Sequence, residues 1–248
     1  MTGRAAFFAL GFVALAAAAS AQQNQPIYPV YDGFLKNPDG SYTLSFAYFS
    51  HNADTVTIAP GAANAFGPTP GDRMQPTTFL PGHWRFQCAM VVPADFDGKM
   101  KWTLTYGGVT TGTSERMLQS NWNLFEREGG AALAKIDYAK VPKGVCLNQP
   151  PQVRVLGVTA RPNNPPTLSV ALNEELNLFG SAHDEGLPRG KELAVEWKVL
   201  SGPGTVKFTI PGAARTKAIF SAPGLYELEL SASDSEFTQR TRVNVKVS

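Results

Sequence analysis

The sequence predicts an all-β protein built from two β-sandwich domains. Three observations lead to this fold class. Short stretches alternate apolar and polar residues, Gly- and Pro-rich turns separate them, and a helix is plausible in only one place. Alternation with period two puts one face of a strand in a core and the other in solvent, which is typical of antiparallel sheets. Several such strands at regular spacing indicate a sandwich.

The N-terminus has the pattern of a secretory signal peptide. Arg4 precedes an apolar run from Ala5 to Ala19, and the small residue Ala21 follows. The run is shorter than the roughly 20 residues needed to cross a bilayer. We therefore expect residues 1–21 to be removed and the mature chain to begin at Gln22. The protein is then secreted or periplasmic, without a membrane span.

The charge balance narrows the class of partner. The chain has 22 Lys and Arg against 20 Asp and Glu, a formal net charge of +2. Loss of Arg4 with the signal peptide leaves 21 against 20, so the mature protein carries about +1. A nearly neutral chain gives no indication of a nucleic acid or an anionic surface as its partner.

The two cysteines allow two interpretations. Cys88 and Cys146 pass through an oxidising compartment during export, where a disulfide is chemically allowed. Alternatively, Cys88 is a buried small hydrophobic residue, because Trp84, Phe86 and Met90 share its alternating strand face. The sequence leaves both interpretations open.

Residues 28–125 are predicted to form the N-terminal β-sandwich. Its clearest strand patterns are 42–49 and 99–106, each with aromatic residues on one face. A Pro- and Gly-rich connection, 59–82, separates them and is expected either to pack as an ordered loop or to carry a binding surface. Residues 126–151 are predicted to connect the domains, with a plausible helix that two glycines interrupt.

The C-terminal part, residues 152–248, contains the series "NNPPTLSV", "GSAHDEGLP", "LAVEWKVLSGPGTVKF", "TKAIFSAPGLYELELSASD" and "VNVKV". In this order the segments resemble the polycystic-kidney-disease (PKD) type of immunoglobulin-like domain, which is common in bacterial exported proteins. The resemblance implies a non-catalytic immunoglobulin-like sandwich that serves as a spacer, an adhesion module or an accessory beside enzymes. The N-terminal half resembles uncharacterised exported bacterial proteins, which implies no particular function.

Two aromatic residues and a linker fit this architecture. Trp197 lies in the middle of a strand pattern and is expected to be the core aromatic residue of the C-terminal sandwich. Tyr226 follows a Gly-Leu pair and is expected to bond its hydroxyl back to the backbone at a strand corner. The Pro-rich stretch 149–166 is expected to be a stiff connection between the domains.

The resemblance also implies a calcium site. Some PKD-type domains hold calcium between an Asn at a strand entry, an acidic pair in the next loop and an Asp after the penultimate strand. The matching residues are Asn163, Asn164, Asp184, Glu185 and Asp234. Calcium takes about six to eight oxygen ligands. Glu185 departs from the usual Asp, so its longer side chain is the doubtful ligand. The alternative is that Asp184 and Asp234 only cap turns.

No motif indicates an enzyme. His51, His83 and His183 are far apart, and no metal cluster, nucleophile elbow, phosphate loop or dinucleotide fingerprint is present in the sequence. We therefore expect no catalytic residue and no cofactor other than calcium. Trp84 and Trp102 lie on apolar strand faces and are expected in the core.

Trp122 stands outside a clean alternation, so it is the candidate for an exposed aromatic contact. The sequence thus predicts a non-enzymatic exported binding, adhesion or scaffolding protein. Its expected partner is a protein or polysaccharide in the envelope or outside the cell. One alternative is an accessory carbohydrate-binding protein that uses the 59–82 loop and Trp122. The other is an unrecognised hydrolase in the N-terminal half.

Overall fold

Strands dominate the part of the chain that the computed structural model describes, which is residues 24–124, 137–155 and 165–248. The prediction of an all-β fold is confirmed. The predicted signal peptide, Gln22, Asn163 and Asn164 lie outside these residues, as does most of the glycine-interrupted stretch. Within them, no helix has the length and hydrophobicity that crossing a membrane requires.

The N-terminal sandwich is formed by nine strands and one short 3-10 helix. Its larger sheet has the order β1-β2-β6-β9, and it packs against a three-stranded sheet with the order β4-β7-β8 and a two-stranded ribbon β3-β5. The strands are β1 Ile27–Lys36, β2 Tyr42–Ser50, β3 Val56–Thr57, β4 Asn64–Gly67, β5 Thr78–Phe79, β6 Gly82–Val92, β7 Lys101–Tyr106, β8 Val109–Gly112 and β9 Cys146–Leu147, and the 3-10 helix is Ser120–Trp122.

The C-terminal sandwich is formed by eight strands in two four-stranded sheets. One has the order β10-β12-β15-β14, and the other has the order β11-β17-β16-β13, in which β11 runs parallel to β17. The strands are β10 Gln152–Val155, β11 Thr167–Val170, β12 Leu176–His183, β13 Ala194–Ser201, β14 Val206–Phe208, β15 Arg215–Phe220, β16 Gly224–Ser233 and β17 Thr238–Val247.

Each sandwich has its own hydrophobic core, and the predicted core aromatic residues lie there. Trp102 is fully buried in the N-terminal core and Trp197 is buried in the C-terminal core. Tyr226 is also fully buried, and its hydroxyl donates to the Ala222 carbonyl at 2.8 Å. This bond confirms the predicted strand corner, because it satisfies a buried hydroxyl through the backbone four residues upstream.

The Pro- and Gly-rich connection 59–82 is an ordered segment that contains β4 and β5. Asn64 holds it together. Its buried side-chain amide donates to the carbonyls of Ile58 (3.0 Å) and Pro76 (2.8 Å) and accepts from Trp102 Nε1 (2.9 Å). Because every polar atom of this side chain is paired, a segment rich in turn residues can pack against the core without an unsatisfied group.

Cys88 and Cys146 form a disulfide in the structure. Both side chains are buried, with Cys88 fully enclosed in the N-terminal core. The bond joins β6 to β9, which also pair through Met90 and Cys146. The last strand of this sheet is therefore fixed covalently immediately before the chain leaves for the C-terminal sandwich.

The expectation that Trp84 lies in the core is wrong, because β6 contains a bulge. Phe46 pairs with Cys88, but Tyr48 pairs with Trp84, so three residues of β6 stand opposite Ala47 alone. Phe86, at the centre of the bulge, has φ +58°, a conformation that a bulky side chain rarely adopts. The alternation is interrupted here, and Trp84 is left only half-buried.

Asp32 holds this bulge in place. Its carboxylate accepts the Phe86 backbone N–H at 2.8 Å and Arg85 Nε at 2.8 Å, while only 3% of the Asp32 side chain is exposed. The Arg85 guanidinium lies 4.7 Å from the centre of the Phe86 ring. An ionised acceptor for two donors offsets the cost of the left-handed backbone at Phe86.

Replacing Asp32 by Asn should therefore lower the stability of the N-terminal sandwich. The amide keeps the shape but accepts fewer hydrogen bonds, so we expect a loss of about 2 kcal/mol in the free energy of unfolding. Urea denaturation measures the change, and the exposed Asp54→Asn is the matched control. Equal unfolding midpoints for the two variants would show that the bulge forms without this carboxylate.

Candidate functional site

The loop within "GSAHDEGLP" and the residue that follows it join the two sandwiches. We call residues 183–189 the docking loop. His183 ends β12 and is only 4% exposed, because its ring lies 4.2 Å from the Trp84 ring and its Nε2 is 2.8 Å from Gln87 Oε1. Gln87 donates its own amide N–H to the Arg85 carbonyl, so the oxygen faces the histidine. His183 Nε2 therefore carries the proton and donates.

Burial lowers the pKa of His183 to about 4, so the ring is neutral near pH 7. A neutral imidazole donates one hydrogen bond and packs its carbon edges against an aromatic partner without the cost of burying a charge. The histidine thus serves as a structural anchor at this position.

The other end of the docking loop is fixed by an apolar and an ionic contact. Leu187 is 5% exposed and belongs to the core cluster of the N-terminal sandwich, although it comes from the C-terminal one. Arg189 donates to both carboxylate oxygens of Asp72 at 2.7 Å, and this pair lowers the pKa of Asp72. The two side chains are partly exposed, so the pair adds specificity of orientation more than stability.

The chain segment that enters the C-terminal sandwich is hydrogen-bonded to the docking loop and to the bulge of β6. Glu185 Oε1 accepts the Gln149 backbone N–H at 2.7 Å, and the Gln149 side chain donates to the Phe86 carbonyl at 2.8 Å. Asn148 donates to Glu236 at 2.8 Å. The docking loop, the bulge and the connection thus form one hydrogen-bonded assembly.

A cleft of about 810 Å³ opens at this junction. Its lining combines aromatic carbon, amides and charges of both signs. Its lining includes Trp84, Phe86, Gln149, Gln152, Arg154 and Gln239. An aromatic wall with several groups that both donate and accept suits a polar ligand with an apolar face.

Three predicted calcium ligands come together at the edge of the cleft. Asp184 Oδ1 accepts the Gly186 N–H at 2.8 Å, and Asp234 Oδ1 accepts the N–H groups of Glu236 and Phe237. These bonds are the turn caps that the alternative interpretation describes. The second oxygen of each aspartate is buried and has no partner in the described part of the chain.

Burial raises the pKa of Asp184 and of Glu185, and a neighbouring carboxylate adds to each shift. Burial, with a contribution from the Asp234 charge, raises the pKa of Asp184 to about 6. Burial and the neighbouring Asp184 raise the pKa of Glu185 to about 8. Nevertheless, residues 24–124, 137–155 and 165–248 contain no group of three or more His, Cys, Asp or Glu side chains arranged to hold a metal ion.

Trp122, the predicted exposed aromatic residue, lies apart from this junction. It is half-buried in the 3-10 helix, and its ring meets the Tyr31 ring at 5.6 Å, edge to face. Sequence reasoning missed Trp84, Gln87 and Asp72 as partners of the docking loop. No local signal marks them, because the bulge and the docking contacts join positions about a hundred residues apart in the chain.

No family model matches the chain. It is similar to a nucleoside hydrolase-related hypothetical protein from Saccharophagus degradans associated with carbohydrate metabolism (18% identity, 56% of this chain and 35% of that one, TM-score 0.37). It is also similar to the PKD domain from KIAA 1837 protein (16% identity, 34% of this chain and 79% of that one, TM-score 0.25). A third similar structure is that of domains 4 and 5 of the S-layer protein SbsC (15% identity, 81% of this chain and 85% of that one, TM-score 0.28). At such low sequence identity, these similarities indicate the fold and no function.

Removing the histidine anchor should loosen the junction while leaving both sandwiches folded. In His183→Ala we expect the Gln149 amide, which Glu185 protects, to exchange its hydrogen at least about tenfold faster, while amides between β16 and β17 keep their rates. Hydrogen exchange followed by mass spectrometry measures this, and the exposed His51→Ala is the control. Unchanged protection of Gln149 would show that His183 does not hold the junction.

Proposed function

We propose that this protein is an exported, non-enzymatic binding protein in which an N-terminal sandwich and a PKD-type C-terminal sandwich act together. The observation that carries the proposal is the docking loop, which buries His183 and Leu187 against the N-terminal sandwich beside the cleft. A simple spacer needs no such junction. The Cys88–Cys146 disulfide and the signal-like N-terminus support a location in the periplasm or outside the cell.

The lining of the cleft favours a saccharide ligand. Sugars present hydroxyl groups around an apolar ring face, and the cleft offers amides beside aromatic carbon. Gln152 and Gln239 line it, and their side chains form no hydrogen bond with any other described residue. These features support a carbohydrate site at the junction instead of at Trp122.

Binding is favoured over catalysis because the acidic side chains of the docking loop already form hydrogen bonds within the protein. Glu185 accepts the Gln149 N–H and Asp184 caps the turn at Gly186. An acid-base pair needs carboxyl groups that are free to face a substrate. We therefore propose that the affinity for a ligand comes from the aromatic and amide groups.

Filling the cleft should abolish ligand binding without disturbing the junction. Gln239 is exposed and makes no docking contact, so Gln239→Trp places a bulky ring in the cleft. On an oligosaccharide array, the wild type should retain at least one glycan, and the variant should bind it at least about tenfold more weakly. The same substitution at the exposed Gln119, outside the lining, is the control. An array without any retained glycan would overturn the saccharide proposal.

A second proposal is that calcium binds beside the docking loop. The supporting observation is the pair of buried, unpartnered oxygens, Asp184 Oδ2 and Asp234 Oδ2. Calcium would neutralise the repulsion that contributes to the raised pKa of Asp184. The remaining oxygens would come from backbone carbonyls, water and the predicted ligands Asn163 and Asn164. Glu185 would add negative charge nearby while it keeps its bond to Gln149.

Calcium at millimolar concentration should then raise the melting temperature of the full mature protein by several degrees. A ligand at ten times its dissociation constant stabilises by about 1.4 kcal/mol, and extracellular sites bind at about 10⁻⁴ to 10⁻³ M. Asp184→Asn and Asp234→Asn keep the turn-capping oxygen but should each abolish the rise. Differential scanning calorimetry measures it, with the exposed Asp95→Asn as the control. An equal rise in all four proteins would contradict the site.

A further inference from the structure

One sheet of the C-terminal sandwich has an outer face on which positive charge is concentrated. The strands β10, β12, β15 and β14 contain four Lys or Arg residues and no Asp or Glu. Alternation fixes which side chains point outward, since Leu178, Ala218 and Phe220 are buried on the inner side. We call the outer side the basic face, and its residues are Arg154, Phe179, Lys207, Arg215, Lys217 and Ile219.

Two apolar side chains stand among these cations. Phe179 is 54% exposed and pairs across the strands with Arg215, and Ile219 is 37% exposed and pairs with Lys207. Neighbouring strands lie about 4.8 Å apart, and alternate residues on one strand about 7 Å apart. Arg215 therefore lies directly beside Phe179 and Lys217 lies diagonally from it, while Lys207 lies beside Ile219 on the same sheet face.

The charges of this face are mostly free of internal partners. Lys217 pairs with Glu175 at 2.6 Å, but Arg154, Lys207 and Arg215 form no ion pair with any described residue. The opposite sheet has the same number of Lys and Arg residues but also contains three glutamates. There Lys198, Arg240 and Arg242 pair with glutamates on the same sheet.

We infer that the basic face binds an acidic polysaccharide, a chain of sugars that carry carboxylates. Arg binds a carboxylate through two parallel hydrogen bonds, and unpaired cations attract a polyanion without first breaking an internal pair. An exposed aromatic ring stacks against the apolar side of a sugar ring. A membrane surface would need a larger apolar area than one Phe and one Ile provide. Export, as proposed above, favours a polysaccharide over a nucleic acid.

The probe is polygalacturonate, compared with its fully methyl-esterified form, in which the same sugar chain lacks charge. In affinity electrophoresis the mature protein should be retarded by polygalacturonate and not by the ester. The retardation should fall strongly when NaCl rises from about 0.05 to about 0.5 M, because salt screens exposed charges. Equal retardation by both polymers, or by neither, would overturn the inference.

Variants on the two sheets test the location. Lys207→Thr/Arg215→Thr should weaken binding at least about tenfold, since each cation near an anionic surface contributes appreciably. Phe179→Thr should weaken it while leaving its salt dependence unchanged. The control Lys198→Thr/Lys246→Thr removes two charges from the opposite sheet and should bind like the wild type. An equal loss in this control would show that only overall charge matters.

One measurement distinguishes loss of binding from misfolding of a variant. Another distinguishes a polysaccharide from other classes of polyanion. Thermal unfolding followed by circular dichroism checks that the variants are folded, and the ester comparison on the wild type needs no variant at all. Arg154 borders the cleft, but the other residues of the basic face lie outside its lining. Gln239→Trp, which fills the cleft, should therefore still bind polygalacturonate, so the saccharide proposal for the cleft and this one fail separately. Tighter binding to double-stranded DNA or to anionic lipid vesicles at matched charge would overturn the assignment to polysaccharide.

Discussion

The contact between Asp32 and the bulge of β6 is the constraint on which the junction depends. An uninterrupted strand would keep Trp84 in the core, as the alternation predicts. The bulge instead leaves Trp84 at the edge of the core and turns the Phe86 carbonyl and the Gln87 side chain toward the C-terminal sandwich. A buried carboxylate stabilises this irregular backbone because it accepts the N–H group that the pleat leaves unpaired.

The fold could be predicted from sequence because its signals are local. Alternation identifies the strands around Trp102 and Trp197, and the Gly-Leu-Tyr segment identifies the corner at Tyr226. The junction could not be predicted, because its contacts join residues distant in the chain. Asp184 and Asp234 show both cases, because the sequence offered two alternatives for each: a cap of a turn or a ligand of calcium. In the structure, one oxygen of each caps a turn and the other has no partner.

Net charge describes this molecule poorly. The net charge is close to zero, yet one sheet carries four cations and no acidic residue. In the opposite sheet, three of the four cations pair with Glu196, Glu227 and Glu229. Composition averages the two faces, so it gives no indication of an anionic partner. Only the register of the strands shows which charges share a face.

The disulfide lies beside the residues that form the junction, so the oxidation of the two cysteines affects when the junction assembles. Cys88 directly follows Gln87, and Cys146 lies just before Asn148 and Gln149, so the bond links both partners of the docking contacts. In the reducing cytosol the strand Cys146–Leu147 lacks this covalent link and keeps its short pairing with β6 and the hydrogen bond from the Cys146 N–H to the Arg73 carbonyl. With export as proposed above, oxidation would precede the assembly of the junction, and we expect a chain retained in the cytosol to fold its two sandwiches without joining them.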